Sequence, residues 1–329
     1  MIRRFLSTAA LFAMLAQLAA AQEAPLTLAQ TIPLPQVTGG INHFAADAKR
    51  DRFFFTATSD KALLIVDLKA GKVIKSITGF SPAAARFAPD LDRLCVSGAK
   101  AVTIYDGESY DTVGKVELGS AVDEMQYDPK THRLYVGLQD RSAPGIAVID
   151  VGERKLLTRI KLKAPPQGFV LDDAGTRVYA NTPGAGQVTV IDCARQTVVA
   201  EWKLTDAVSN YPAALDEKHH RLLIGCRRPA KLLAIDTDTG KTVGSADTGD
   251  DADDMSFDPI TRRVYLACGS GVISAIQQDD ADHYHALPAV KTADGARNSV
   301  FVPELKQLYV GVPRHGNAPT ELRAYEARN

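Results

Sequence analysis

Residues 121–137 read AVDEMQYDPKTHRLYVG, and residues 251–269 read DADDMSFDPITRRVYLACG. Overlaid, Asp123-Glu124-Met125 falls on Asp253-Asp254-Met255, and Asp128-Pro129 falls on Asp258-Pro259. Acids lead into a short apolar run, an Asp-Pro turn follows, and an arginine opens a second apolar run. Period-two alternation on both sides of such a turn predicts a β-hairpin.

The unit occurs seven times along the chain. Its anchors are Arg52, Arg93, Arg133, Arg177, Arg221, Arg263 and Gln307, separated by 41, 40, 44, 44, 42 and 44 residues. About fifteen residues after most anchors a further apolar run ends at aspartate, as in LIVDLKAGK, IAVIDVGER and LLAIDTDTGK, and a turn leads to another strand. Each unit therefore holds four short strands, and no long segment has helical periodicity. Four-stranded repeats of just over forty residues predict an all-β, seven-bladed β-propeller. The seventh repeat runs out at its third strand, ELRAYEARN. A propeller left open exposes sheet edges, so residues 26–34, LTLAQTIPL, are expected to supply the missing outer strand and close the ring.

The N-terminus, MIRRFLSTAALFAMLAQLAAAQEAP, has two arginines, a short Ala-rich apolar run, and small residues at Ala19 and Ala21. This predicts a secretory signal over residues 1–21, and one propeller domain over 22–329, exported to a periplasm or the medium. No later segment is apolar enough to span a bilayer. A formal net charge of −1 gives no basis for a nucleic-acid surface. Export permits disulfides, yet Cys95, Cys193, Cys226 and Cys268 lie in or beside strand-like runs without CxxC or zinc spacing. Buried free thiols are expected, and a chain this long needs no staple. A monomer is expected.

The runs RLYVG, RVYAN, RVYLA and QLYVG, with the xVID strands that follow several of these units, resemble the YVTN-type repeats of exported YncE-like propeller proteins. The resemblance covers nearly all of the chain after the signal, and implies fold and export rather than a reaction. WD40-like blades are related, but their GH and WD pairs are missing here. With Trp202 as the single tryptophan, the repeated docking motifs of PQQ dehydrogenases are absent. No haem, PQQ or nucleotide cofactor is expected. Seven-bladed lactonases share the architecture, which alone transfers no function.

In a propeller the innermost strand precedes the anchor, and its start faces the mouth of the central channel. Nine residues before the anchors stand His43, Ala84, Glu124, Gly168, Pro212, Asp254 and Asn298; ten before stand Asn42, Ala83, Asp123, Gln167, Tyr211, Asp253 and Arg297. Ionisable groups converging on a concave mouth define the candidate ligand site: His43, Asp123, Glu124, Tyr211, Asp253, Asp254, Arg297 and Asn298. Three chemistries are open. His43, Glu124, Asp254 and Asn298 would hold a divalent cation, Ca²⁺, Mg²⁺ or Mn²⁺. Arg297, with Arg86, would clamp a carboxylate or phosphate. His43 would act as a general base oriented by a carboxylate from another blade.

Other conspicuous groups read as structure. The run QQDDADHYHAL, from Gln277, falls in the outer hairpin of blade six and is expected to be solvated. His132, His219 and His220 sit in turns. Arg227-Arg228-Pro229 is expected to be a loop that rims the funnel. The aspartates before the turns and the anchor arginines are expected to serve the fold. No GxSxG, HExxH or P-loop motif is present. The leading reading is a binding module for a small anionic ligand or a partner segment. A metal-assisted hydrolase or lactonase using the same funnel, and a scaffold binding proteins at its rim, are the alternatives; the sequence leaves turnover open.

Overall fold

The structure is a computed structural model that describes residues 24–328; the expected signal segment, residues 1–21, lies outside the described residues. Seven antiparallel sheets form the blades of a β-propeller, and no α-helix occurs among the described residues. Blade one runs from Ala45 to Thr78, blade two from Ala85 to Glu117, and blade three from Val122 to Lys161. Blade four spans Phe169–Lys203, blade five Val208–Asp247, and blade six Ala252–Lys291. Blade seven is built from both ends of the chain: Asn298–Val302, Gln307–Val312, Glu321–Ala327 and, outermost, Leu26–Pro33. Leu26 opposes Ala327 and Pro33 opposes Glu321, so the ring closes as the repeat requires.

The apolar cores lie between successive blades. Phe44, Phe53, Phe55 and Leu64 of blade one pack with Tyr309 and Leu322 of blade seven. Val102 and Ile104 of blade two pack with Leu134 and Val136 of blade three. Burial on both faces explains why the two middle strands of each unit read as near-continuous apolar runs. Cys95, Cys193, Cys226 and Cys268 are free and buried in these layers, where burial pushes the thiols of Cys95 and Cys226 up to about 12.

The repeated polar residues do structural work. The turn aspartates accept backbone N–H groups: Asp47 from Lys49, Asp128 from Lys130, Asp216 from His219 and Asp258 from Ile260. The anchor arginines tie the second strand to the aspartate ending the third, in Arg52–Asp67 (2.7 Å), Arg93–Asp106 (3.0 Å), Arg177–Asp192 (2.6 Å) and Arg221–Asp236 (2.7 Å). Blade six replaces the ion pair by Arg263 Nε donating to Gln277 (3.0 Å).

The blunting of the outer edges leaves no mark in the repeat pattern. In six blades the register slips once between the two outer strands, at Leu28/Gln30, Ile65/Val66, Ile104/Tyr105, Val148/Ile149, Val190/Ile191 and Ala234/Ile235. Blade six instead breaks its edge into two short strands, Tyr284–Ala286 and Val290–Lys291, both paired to Val272–Gln278. Bulged or broken edges are poor templates for edge-to-edge pairing.

Candidate functional site at the channel mouth

The paired acids owe their placement to bulges in the innermost strands. In blade three, pairing jumps from Val122 to Met125, leaving Asp123 and Glu124 opposite Gly137; in blade six it slips between Ala252 and Asp254. A regular strand would send neighbouring side chains to opposite faces. The extra residue of a bulge re-aims one of them, so both members of each pair stay partly exposed to the channel. Blade five has a like slip between Asn210 and Ala213, which leaves Tyr211 partly exposed and Pro212 buried. Gly168 has a steric reason: a Cβ there would lie 2.5 Å from the Tyr211 carbonyl oxygen, where the inner strands of blades four and five approach.

These starts enclose a cavity of about 330 Å³ lined by Asn42, His43, Asp123, Glu124, Gln167, Gly168, Tyr211, Arg227, Asp253 and Arg297. Six of the eight candidate residues thus form its wall, and the other two stand behind it, Asp254 against His43 and Asn298 against Asp253. His43 Nδ1 lies 2.7 Å from Asp254 Oδ1, across blade seven from blade one to blade six. Asp254 also accepts from the Ser299 backbone N–H (2.9 Å) and from Asn298 Nδ2 (3.3 Å). Asp254 is therefore spent on positioning. Asn298 is buried beneath the carboxylates rather than on the cavity wall.

Arg297 is already matched. Its Nη1 is 2.8 Å from Asp251 and its Nε is 3.4 Å from Asp253. Arg227 is a strand residue, not a loop residue. It donates to the Ala252 carbonyl (2.9 Å), pairs with Asp253 (2.7 Å) and Asp251 (3.1 Å), and lays its guanidinium 3.7 Å from the centre of the Tyr211 ring. This cation–π stack holds Tyr211 against the wall. Asp251 escapes the count back from the anchor because it precedes the strand by a residue, and Arg227 reads in the sequence only as a rim residue, since it comes from the second strand.

Two carboxylates keep acceptor capacity. Asp123 has distant neighbours, Asn42 Nδ2 at 3.5 Å and His43 Nε2 at 3.7 Å. Glu124 accepts from Gln126 at 3.3 Å. Burial pushes the Glu124 carboxyl up to about 7, against the opposing pull of His43 and Arg86 and with the repulsion of Asp254 and Asp123. Burial also opposes charge on His43, but Asp254, then Asp123 and Glu124, outweigh it and hold the imidazole well above the ordinary histidine range. His43 is thus oriented by a carboxylate from another blade, as one of the three chemistries anticipated. At neutral pH it carries its proton and serves as a donor, not a base. The group poised to exchange a proton near neutrality is Glu124.

His43, Glu124 and Asp254 do not surround a common point, because His43 turns its ring nitrogen to Asp254 itself; among the described residues no set of three or more His, Cys, Asp or Glu side chains is placed to hold a metal ion. Arg86 does not join Arg297. It lies deeper, donating from Nε (2.9 Å) and Nη2 (2.6 Å) to the Met125 carbonyl. The acidic run of blade six is a solvated hairpin whose histidines pair locally, His283 with Asp280 (2.8 Å) and His285 with Asp279 (2.7 Å), while Asp282 holds Arg221 of blade five (2.8 Å).

Comparison with solved structures reproduces the ring. The chain is similar to one in "Crystal Structure of Mitotic Checkpoint Complex" (13% identity, TM-score 0.80, 100% of both chains covered). It is similar to one in "Kuenenia stuttgartiensis Hydrazine Synthase" (18%, TM-score 0.74, 83% of this chain and 92% of that one). It is also similar to "Structure of U3-55K" (12%, TM-score 0.76, 90% and 98%). At such identities the likeness carries the fold alone. No family model matches the chain, and no curated protein matches it. Among the described residues no helix is long and apolar enough to cross a membrane.

Proposed function

We propose that the protein is an exported binding module of the YVTN-repeat kind, whose channel mouth takes a small, donor-rich cationic ligand or the ammonium group of a partner segment. The observation that carries this reading is the surplus of acceptors. Asp123, Glu124, Asp251, Asp253 and Asp254 face His43, Arg227 and Arg297, and both arginines are engaged by aspartates. The anionic ligand expected from Arg297 would have to displace those aspartates. An amine instead finds Asp123 and Glu124 with acceptor capacity to spare. Pre-formed pockets with a few fixed polar groups bind without reorganisation.

Calorimetric titration with a panel of diamines and amino sugars, against matched polyols and carboxylates, tests the reading. Amines should bind, and Asp123→Asn and Glu124→Gln should each weaken binding about tenfold or more, the loss of one charge-assisted hydrogen bond. Carboxylates binding while amines do not would sink it.

A second reading has one observation behind it. A carboxyl near 7 suits general acid–base work, so Glu124 would activate water on a lactone or ester in the same cavity. Lactone turnover lost in Glu124→Gln would favour an enzyme over a binding module.

A further inference from the structure

The inner strands have a second end. Where they run down to the turn aspartates, blades one, two and seven enclose another cavity, of about 490 Å³ and mostly apolar walls. Ala46, Phe87, Pro89, Val300, Phe301 and Leu305 line it, and Asp47, Lys49 and Glu304 stand among its polar lining. Arg86 also lines it, and among the described residues no carboxylate lies within ion-pair distance of its guanidinium. The guanidinium is fixed by two bonds to one carbonyl, and neither uses Nη1. Burial lowers the affinity of Arg86 for its proton, with Glu124 and Asp254 the charges acting against that effect from above. An arginine half-buried in a largely apolar cavity, with donor capacity to spare and no carboxylate at ion-pair distance, is a charge available to an incoming anion.

We infer that this lower cavity is a second binding site, for an amphiphilic anion: a monocarboxylate with a medium-length alkyl or aryl body. The carboxylate would meet Arg86 by charge-assisted hydrogen bonds, and the body would lie against Phe87, Val300 and Phe301, removing apolar surface from water. The two ends of the channel then have opposite preferences, a cation above and an apolar anion below. This site does not depend on the reading of the upper mouth, because it uses none of that mouth's lining residues.

The test is titration of the full chain with octanoate below its micellar concentration, with 1-octanol as the uncharged match. Octanoate should bind, and octanol should bind at least tenfold more weakly. Arg86→Met should weaken octanoate at least tenfold while leaving octanol unchanged; Arg86→Lys should retain part of the affinity. Ala46→Trp, which fills the cavity and keeps Arg86, should abolish binding of both, and the unchanged octanol binding of Arg86→Met answers for any misfolding of that variant. Asp123→Asn should leave octanoate binding unchanged. Absence of octanoate binding to the wild type, equal affinity in Arg86→Met, or loss caused by Asp123→Asn would overturn the inference.

Discussion

His43 Nδ1 and Asp254 Oδ1, 211 residues apart in sequence, stand 2.7 Å apart at the mouth of the channel. The bond spans from blade one to blade six and is backed by the Ser299 N–H of blade seven on the same carboxylate. It therefore ties together, at the channel, the two blades that flank blade seven, the blade built from both ends of the chain.

Removing the imidazole should cost stability in a pH-dependent way. His43 titrates well above its ordinary value in the fold, so its contribution is complete below about pH 6.5 and is lost as pH rises through the raised value. His43→Gln should be destabilised by about 3 kcal/mol at pH 6, the scale for breaking a largely buried pair. The cost should shrink at alkaline pH. Urea unfolding at pH 6 and in an alkaline series measures both; a pH-independent cost would refute the charged pair.

Glu124 carries the opposite sign. Its carboxyl sits at about 7 in the fold against 4.5 for the free group, so the folded state keeps a proton that the unfolded chain loses. Stability should fall as pH rises from about 4.5 to 7 and then level off. Glu124→Gln should remove that decline and be the more stable protein at pH 8, by at most about 3 kcal/mol. Unfolding curves across this range check it, and ligand affinity for amines should strengthen over the same window.

Closure of the ring is a separate test. Leu26 and Ile32 on the closing strand are buried between blades. Ile32→Ala should cost about 2–5 kcal/mol. A chain beginning at residue 35 should lose cooperative thermal unfolding, because Glu321–Ala327 would lose its outer partner. A sharp unfolding transition in that shortened chain would contradict the closure.

The thiols give a chemical readout of the layers. Cys95, Cys193, Cys226 and Cys268 are buried and unpaired, and burial keeps them protonated. A thiol reagent should label none of them in the native protein and all four after denaturation. Labelling of fewer than four in the denatured, unreduced chain would reveal a disulfide.

Much of this was legible in the repeat. The spacing of the anchors gave the blades, and the missing fourth strand of the last unit pointed to residues 26–34. Counting back from the anchors found His43, Asp123, Glu124, Tyr211, Asp253 and Arg297 because an inner strand has one geometry in every blade. What escaped was set by relations no linear pattern carries. The bulge that turns both Asp123 and Glu124 toward the channel is a register slip between strands. Arg227 reaches the mouth from a second strand, and its pairing, with that of Arg297, to Asp251 and Asp253 converts an expected anion clamp into a neutralised one. Arg86, expected beside Arg297 in an anion clamp, lines the opposite end.

The most direct test of the ligand reading is a structure of the protein with 1,4-diaminobutane bound at pH 8. An ammonium is expected within hydrogen-bond distance of both Asp123 and Glu124, with Arg297 still on Asp251. A mouth that stays without the amine, or one that releases Arg297 to hold a carboxylate instead, would contradict it.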